Sequence, residues 1–143
     1  KALQAGGVTL ATAGAGCTVL QGSTSKNTRI GRIEVLNQAP TAHNAHVLLL
    51  KGDEPVYWNS TEVEAMVNGE LGGATFTDYP NDHGAYRLYA WVDDQPRSEW
   101  TEYDTTEDDA SCIILSLMIY GSEDPASASV SIYVGNDCKD ETN

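Results

Sequence analysis

Short segments that alternate between apolar and polar residues recur along most of this sequence, and this period of two constrains the fold more than any other feature. In the clearest segment, 85–92, Tyr86, Leu88, Ala90 and Val92 fall on one face of a predicted strand. The other candidate strands cover 29–36, 46–51, 56–58, 74–79, 98–103, 113–119 and 128–134. Seven or eight short strands separated by turn signals are typical of an all-β sandwich.

Residues 60–67 carry the only helical signal in this part of the chain. Thr61 and Glu64 have the spacing of a capping box, in which two side chains satisfy N–H groups at the start of a helix. The sequence therefore predicts one or two helical turns here, as a short crossover between strands.

The chain is strongly acidic. Its 143 residues, enough for one domain, carry 21 Asp and Glu against 8 Lys and Arg, a formal charge of −13. This balance excludes a basic patch, so neither nucleic acid nor an anionic membrane surface is expected as a partner. Such an excess of carboxylates repels itself unless salt screens it, and the composition resembles that of proteins from extreme halophiles.

The N-terminal residues have the pattern of an export signal. Residues 2–16 contain no charge, but they are too short and too rich in glycine to span a bilayer. A positive start at Lys1, a weakly apolar middle and small residues before Cys17 predict a signal peptide over 1–16. Ala15-Gly16-Cys17 resembles the end of a lipobox, which predicts that the Cys17 thiol carries a diacylglyceryl group. The alternative is an N-terminus in which Cys17 occurs by chance.

This interpretation divides the chain into three parts. Residues 1–16 are the signal peptide, 17–27 are the lipid-bearing cysteine with a flexible tether, and 28–143 are one β-sandwich domain. The protein is then exported and anchored through its lipid to the outer face of the cytoplasmic membrane.

The two remaining cysteines form an even pair in an oxidising compartment. Cys112 begins one predicted strand and Cys138 follows the last one, at the open end of a predicted hairpin. Core pairing of Leu115 with Val134 sets the register of that hairpin. We expect a Cys112–Cys138 disulfide, and the alternative is two unpaired thiols.

No catalytic or metal-binding motif stands out. His43 and His46 have H-x-x-H spacing, but on a strand such residues face opposite sides, so no metal site is expected. The acidic run 102–109 lacks the ordered spacing and the glycine of a calcium loop. No G-x-S-x-G marks a nucleophile. We therefore expect no cofactor and no enzymatic activity.

Aromatic residues and arginine are the best candidates for a binding surface. Arg87, Tyr89 and Trp91 form a stripe opposite the core face of their predicted strand, and Trp100 lies on the next one. The alternative is that a loop or a neighbouring strand covers this stripe. Asn59-Ser60-Thr61 is a sequon, which makes Asn59 a candidate for N-glycosylation in an exported protein.

Several stretches resemble small haloarchaeal surface lipoproteins. They are the N-terminus, which looks like a twin-arginine signal just after its arginines, Ala45-His46-Val47-Leu48, Pro55-Val56-Tyr57-Trp58, and Ser131-Ile132-Tyr133-Val134-Gly135-Asn136-Asp137-Cys138. Gly84-Ala85-Tyr86-Arg87-Leu88-Tyr89-Ala90 is similar to strands of Ig-like and transthyretin-like modules. The resemblance implies an Ig-like or transthyretin-like antiparallel β-sandwich at the cell surface, and it implies no activity.

The sequence thus predicts a cell-surface lipoprotein with a non-catalytic binding or structural module, whose partner is another envelope protein or a glycan. Two alternatives stay open at this point. One is a solute- or metal-binding accessory domain of an envelope system, and the other is a hydrolase whose site has no recognisable motif.

Overall fold

Eight strands form two four-stranded sheets in the computed structural model, which describes residues 27–136 and 138. In chain order the strands are β1 (Arg29–Asn37), β2 (His43–Lys51), β3 (Glu54–Val63), β4 (Gly72–Phe76), β5 (Tyr86–Val92), β6 (Thr101–Asp104), β7 (Cys112–Tyr120) and β8 (Ser129–Gly135). The strand order is β4-β1-β7-β8 in the first sheet and β3-β2-β5-β6 in the second sheet. The predicted all-β sandwich is confirmed.

The inward positions of the alternating strands build the hydrophobic core between the sheets. In β7, Ile113, Leu115, Leu117 and Ile119 are buried, and the residues between them are half-buried. Fully burying a large apolar side chain contributes roughly 1.5–3 kcal/mol. A shift of one residue would expose the whole apolar set of a strand, so alternation fixes which face turns inward.

One strand pairing departs from the antiparallel expectation: β1 and β7 run parallel. The chain passes from one sheet to the other after β1, β3, β4 and β6, so crossovers bring β1 beside β7. A parallel pair requires a crossover, whereas strands joined by a hairpin are antiparallel. Alternation shows which face of a strand is buried, and it does not show which partner the strand takes.

The helical turns predicted over 60–67 are wrong, because β3 extends through Val63. Thr61 pairs with Ala45 and Val63 pairs with His43 in the neighbouring β2. Both Thr61 and Val63 are β-branched, and pairing with β2 outweighs the local capping-box signal. The strand predicted over 98–103 begins only at Thr101, because Arg97–Glu99 form a 3-10 turn.

A disulfide joins Cys112, the first residue of β7, to Cys138 just beyond β8, with 6.2 Å between the Cα atoms. β7 and β8 form the predicted hairpin, with Leu115 opposite Val134. The bond closes the open end of this hairpin.

The predictions for the N-terminus fall outside the described residues. They are the signal peptide over 1–16, the lipid on Cys17 and the tether up to residue 26. In the part of the chain that the structure describes, no helix has the length and apolar character needed to cross a membrane.

The fold raises the pKa of three tyrosines, Tyr86, Tyr103 and Tyr120, and the effect is largest for the first two. Tyr86 is fully buried, and its hydroxyl donates to the carbonyl oxygen (2.8 Å) and to the carboxylate (2.9 Å) of Asp82. Burial, together with this carboxylate, raises the pKa of Tyr86 above its usual value. Burial and the nearby carboxylate of Asp108 raise the pKa of Tyr103 to about 12.

These shifts predict a loss of stability at alkaline pH. The folded state favours the neutral phenols, so their contribution is complete below the unfolded-state pKa of about 10 and is lost as the pH rises towards 12. We expect Tyr86 and Tyr103 to ionise in step with unfolding. Phenolate absorbance and circular dichroism, followed together, measure this. The Tyr103→Phe variant should lose less stability over this range. Ionisation of Tyr86 and Tyr103 near pH 10 in a folded protein would contradict the prediction.

Candidate functional site

The outer face of the second sheet carries a group of contacting rings, which we call the aromatic row. Its members are His46 on β2, Trp58 on β3, Tyr89 and Trp91 on β5, and Trp100 just before β6. Alternation turns these rings outwards, because Val47, Leu88 and Ala90 fill the core from the same strands. The strand register places His46 directly opposite Trp91.

Trp91 lies at the centre of the aromatic row. The Trp100 ring stacks on it from the β6 side at a centroid distance of 3.7 Å and an angle of 7°. The His46 ring stacks from the β2 side at 5.2 Å and 18°. Between these two neighbours Trp91 is only 7% exposed. It therefore supports the row and offers little surface to a partner.

An arginine covers the β6 end of the row. The Arg97 guanidinium lies 4.9 Å from the centroid of Tyr89 and 5.1 Å from that of Trp100. These are cation–π distances. The indole N–H of Trp100 donates to the carbonyl oxygen of Gln95 over 3.1 Å, which fixes the ring in its stack. Tyr89 and Trp100 are both half-buried.

Trp58 is the open member of the row. Its side chain is 68% exposed, on the outermost strand of the second sheet. It meets Trp91 edge-on at 6.3 Å and 71°. An indole that is held by one ring contact and exposed over most of its surface can accept a partner without rearrangement of the sheet.

The structure brings the predicted patch together and changes its composition. Tyr89, Trp91 and Trp100 are in contact, as the sequence predicts. Arg87 lies on the same face but pairs with Glu102 (3.0 Å) and Asp104 (3.7 Å) on β6. It belongs to an ion-pair cluster beside the row.

Sequence reasoning missed Trp58, His46 and Arg97 as members of this surface. Trp58 and Ser60 share one face of β3, and His46 lies opposite Ser60 in the neighbouring strand. Only the pairing of β2 with β3 brings Trp58 and His46 to one surface. The helical turns predicted over 60–67 are incompatible with that pairing. Arg97 lies in a 3-10 turn whose position depends on the loop before β6.

Polar groups lie beside the rings. Nδ1 of His46 is 2.6 Å from the hydroxyl oxygen of Ser60, which follows Trp58 by two residues on the same face of β3. Glu102 lies opposite Tyr89 and is exposed. The row therefore combines an open apolar plane with hydrogen-bonding groups of both kinds.

His43 and His46 lie on opposite faces of their sheet, as strand geometry predicts. His43 is buried, its Nδ1 lies 2.6 Å from the Asp93 carboxylate, and its Nε2 lies 2.9 Å from the Thr41 hydroxyl. Hydroxyl, imidazole and carboxylate thus follow the order of a nucleophilic triad. The imidazole is only 1% exposed, however, and both its nitrogens are engaged within the fold. The arrangement links the β1–β2 turn to the turn after β5.

The acidic run 102–109 is largely occupied by local contacts. Asp104 accepts from the N–H (2.9 Å) and the hydroxyl (2.7 Å) of Thr106, and Asp108 accepts from the N–H of Ala110 (2.9 Å). These contacts cap the 3-10 turn at Thr105–Glu107 and the residues after it. Among the described residues, no group of three or more His, Cys, Asp or Glu side chains has the geometry to hold a metal ion.

The sequon residue Asn59 is exposed on β3. Its amide Nδ2 donates to the Tyr57 hydroxyl over 3.0 Å, and its Oδ1 accepts from the N–H of Ser60 over 2.8 Å. The side chain is at the surface and can be reached, and glycosylation there stays a prediction.

Comparison with known proteins adds no family to this description. No protein-family model matches the chain, and no curated protein has significant sequence similarity to it.

Proposed function

We propose that this chain is a non-catalytic binding module of an exported lipoprotein, and that the aromatic row is its contact surface. The observation that carries the proposal is Trp58, an indole that is 68% exposed and backed by the stacked rings of Trp91 and Trp100. A tryptophan that stays exposed contributes no apolar burial to folding. A partner that covers it forms a large apolar contact.

The rigidity of the row favours binding. Trp91 is held between His46 and Trp100, and Trp100 is held by its bond to Gln95. Side chains that are ordered before binding lose little conformational entropy when a partner arrives. The surface is therefore ready-made, which is typical of a binding module.

The anchor is the second part of the proposal. A lipid on Cys17 and a tether over 17–27 would hold the sandwich outside the cytoplasmic membrane, where disulfides such as Cys112–Cys138 persist. A diacyl group supplies the two chains that stable membrane attachment requires.

The anchor is tested by fractionating the cells that produce the protein. The Cys17→Ser variant should leave the membrane fraction, and its mass should lack the diacylglyceryl group that the native chain carries. A native chain of unmodified mass, found with the cytosolic proteins, would contradict the anchor.

The contact surface is tested in the Cys17→Ser background, where lipid no longer contributes to retention. We expect the soluble chain to bind isolated cell envelopes and the additional Trp58→Ala change to weaken that binding by about tenfold or more, because truncation removes the most exposed ring of the row. Tyr133→Ala is the matched control, since Tyr133 is 52% exposed on β8 of the other sheet. Equal loss in both variants would contradict the proposed surface.

A further inference from the structure

We infer that the partner of the aromatic row is a neutral carbohydrate, with Trp58 as the plane on which one sugar ring stacks. The inference rests on the proposed function and assigns a ligand class to the same site. Three properties of the row support it: the size of its open apolar surface, the groups around that surface, and its charge.

The open apolar surface is too small for a stable protein partner. A standard protein interface buries about 800 Å² on each side. A tryptophan supplies about 150–250 Å² when fully buried. Trp58 is the only large apolar side chain of the row that is mostly exposed, because Trp91 is buried and Tyr89 and Trp100 are half-buried. The surface matches a ligand the size of one or a few sugar rings.

The groups around Trp58 fit the two-sided chemistry of a sugar. A pyranose ring has a C–H face, which packs on an aromatic plane, and a rim of hydroxyls, which donate and accept hydrogen bonds. Trp58 supplies the plane, and Ser60 and His46 lie beside it as a hydroxyl and an imidazole. Leu48 lies beside Trp58 in the strand register and extends the apolar surface towards Tyr89, which Arg97 covers.

Charge selects a neutral ligand. The chain has a net charge of −13, which repels sulfated or uronic polymers. Arg97 already lies over Tyr89 and Trp100 at the β6 end, so the open ring is on the far side of the row from this cation. Packing of C–H groups on an indole does not depend on charge, and it therefore persists at salt concentrations that screen ion pairs.

The test uses the full chain with Cys17→Ser, labelled with ¹⁵N, and linear hexasaccharides of glucose, of mannose and of N-acetylglucosamine as probes. The chain has three tryptophans, so three indole N–H signals report on the row. We expect at least one probe to shift the Trp58 signal saturably, with similar affinity at low and high salt. Trp58→Ala should weaken binding by about tenfold to a hundredfold. Tyr133→Ala should leave it unchanged, and dispersed indole signals from Trp91 and Trp100 show that Trp58→Ala is folded.

Two results would overturn the inference. One is that no hexasaccharide shifts an indole signal at millimolar concentration, and the other is that binding survives in Trp58→Ala. Binding of the soluble chain to isolated cell envelopes then shows whether only the carbohydrate inference fails or the proposed function fails as well. If retention still depends on Trp58 but resists glycosidase and is abolished by protease treatment of the envelopes, the row binds a protein. If retention does not depend on Trp58, both proposals fail.

Discussion

Removal of the Cys112–Cys138 disulfide will lower the free energy of unfolding by about 3–4 kcal/mol. The bond closes a loop with a sequence separation of 26 residues, and chain-entropy arguments assign a loop of this length about 3.5 kcal/mol. Small domains have a total stability of about 5–15 kcal/mol, so the loss is a large fraction of the whole. For a domain of this size we expect the midpoint of thermal unfolding to fall by roughly 10–15 °C.

The measurement compares the native chain with the Cys112→Ser/Cys138→Ser variant by thermal and urea unfolding. Cys17→Ser is the control, because it replaces the third cysteine of the chain and leaves the disulfide in place. Reductant should destabilise the native chain and leave the double variant unchanged. Equal unfolding midpoints for the native chain and the double variant would show that the bond does not form in the folded protein.

The sequence predicts the strands of this sandwich well because burial leaves a direct signature. β5 and β7 alternate so strictly that their inward residues could be named, and the hairpin register of Leu115 and Val134 followed from the core pattern. Local signals were weaker where tertiary pairing decides the outcome. Thr61 and Glu64 have the spacing of a capping box, but pairing of β3 with β2 holds Thr61 in a strand.

The sequence predicts only some members of the aromatic row, because they come from four separate segments of the chain. Tyr89 and Trp91 share a strand, so their common face could be read from alternation. Trp58 joins them only through β2, which pairs with β3 on one side and β5 on the other. Strand order in a sheet depends on the whole topology, and alternation within one strand carries no information about it. The burial of Trp91 by stacking was unpredictable for the same reason.

Links between the two sheets depend on single polar side chains that no periodicity marks. Gln95 donates to the carbonyl oxygen of Ala128 over 2.9 Å, and Thr101 donates to that of Val130 over 2.7 Å. Both bonds connect the second sheet, near β6, to the start of β8 in the first sheet. In the sequence nothing distinguishes Gln95 and Thr101 from other polar residues in loops and at strand ends.

Asn37 is the most heavily bonded of these links, and replacing it with leucine will lower the free energy of unfolding by about 3 kcal/mol. Its side chain is fully buried at the end of β1. Its Nδ2 donates to the carbonyl oxygens of Thr41 (2.9 Å) and Glu64 (3.1 Å), and its Oδ1 accepts from the N–H of Ala39 (2.8 Å). Leucine has a similar shape but leaves these backbone groups without their partner, and each buried unsatisfied group costs about 1–3 kcal/mol.

The comparison is urea unfolding of Asn37→Leu against Gln38→Ala, a change at the adjacent exposed residue that should stay within about 0.5 kcal/mol of the native chain. A loss below 1 kcal/mol in Asn37→Leu would contradict the expected role. The effect should also reach the aromatic row. Asn37 holds Thr41, Thr41 contacts His43, and His43 contacts Asp93, which directly follows β5 and its Trp91. The indole signal of Trp91 should therefore broaden in Asn37→Leu, whereas that of the edge-strand residue Trp58 should change less.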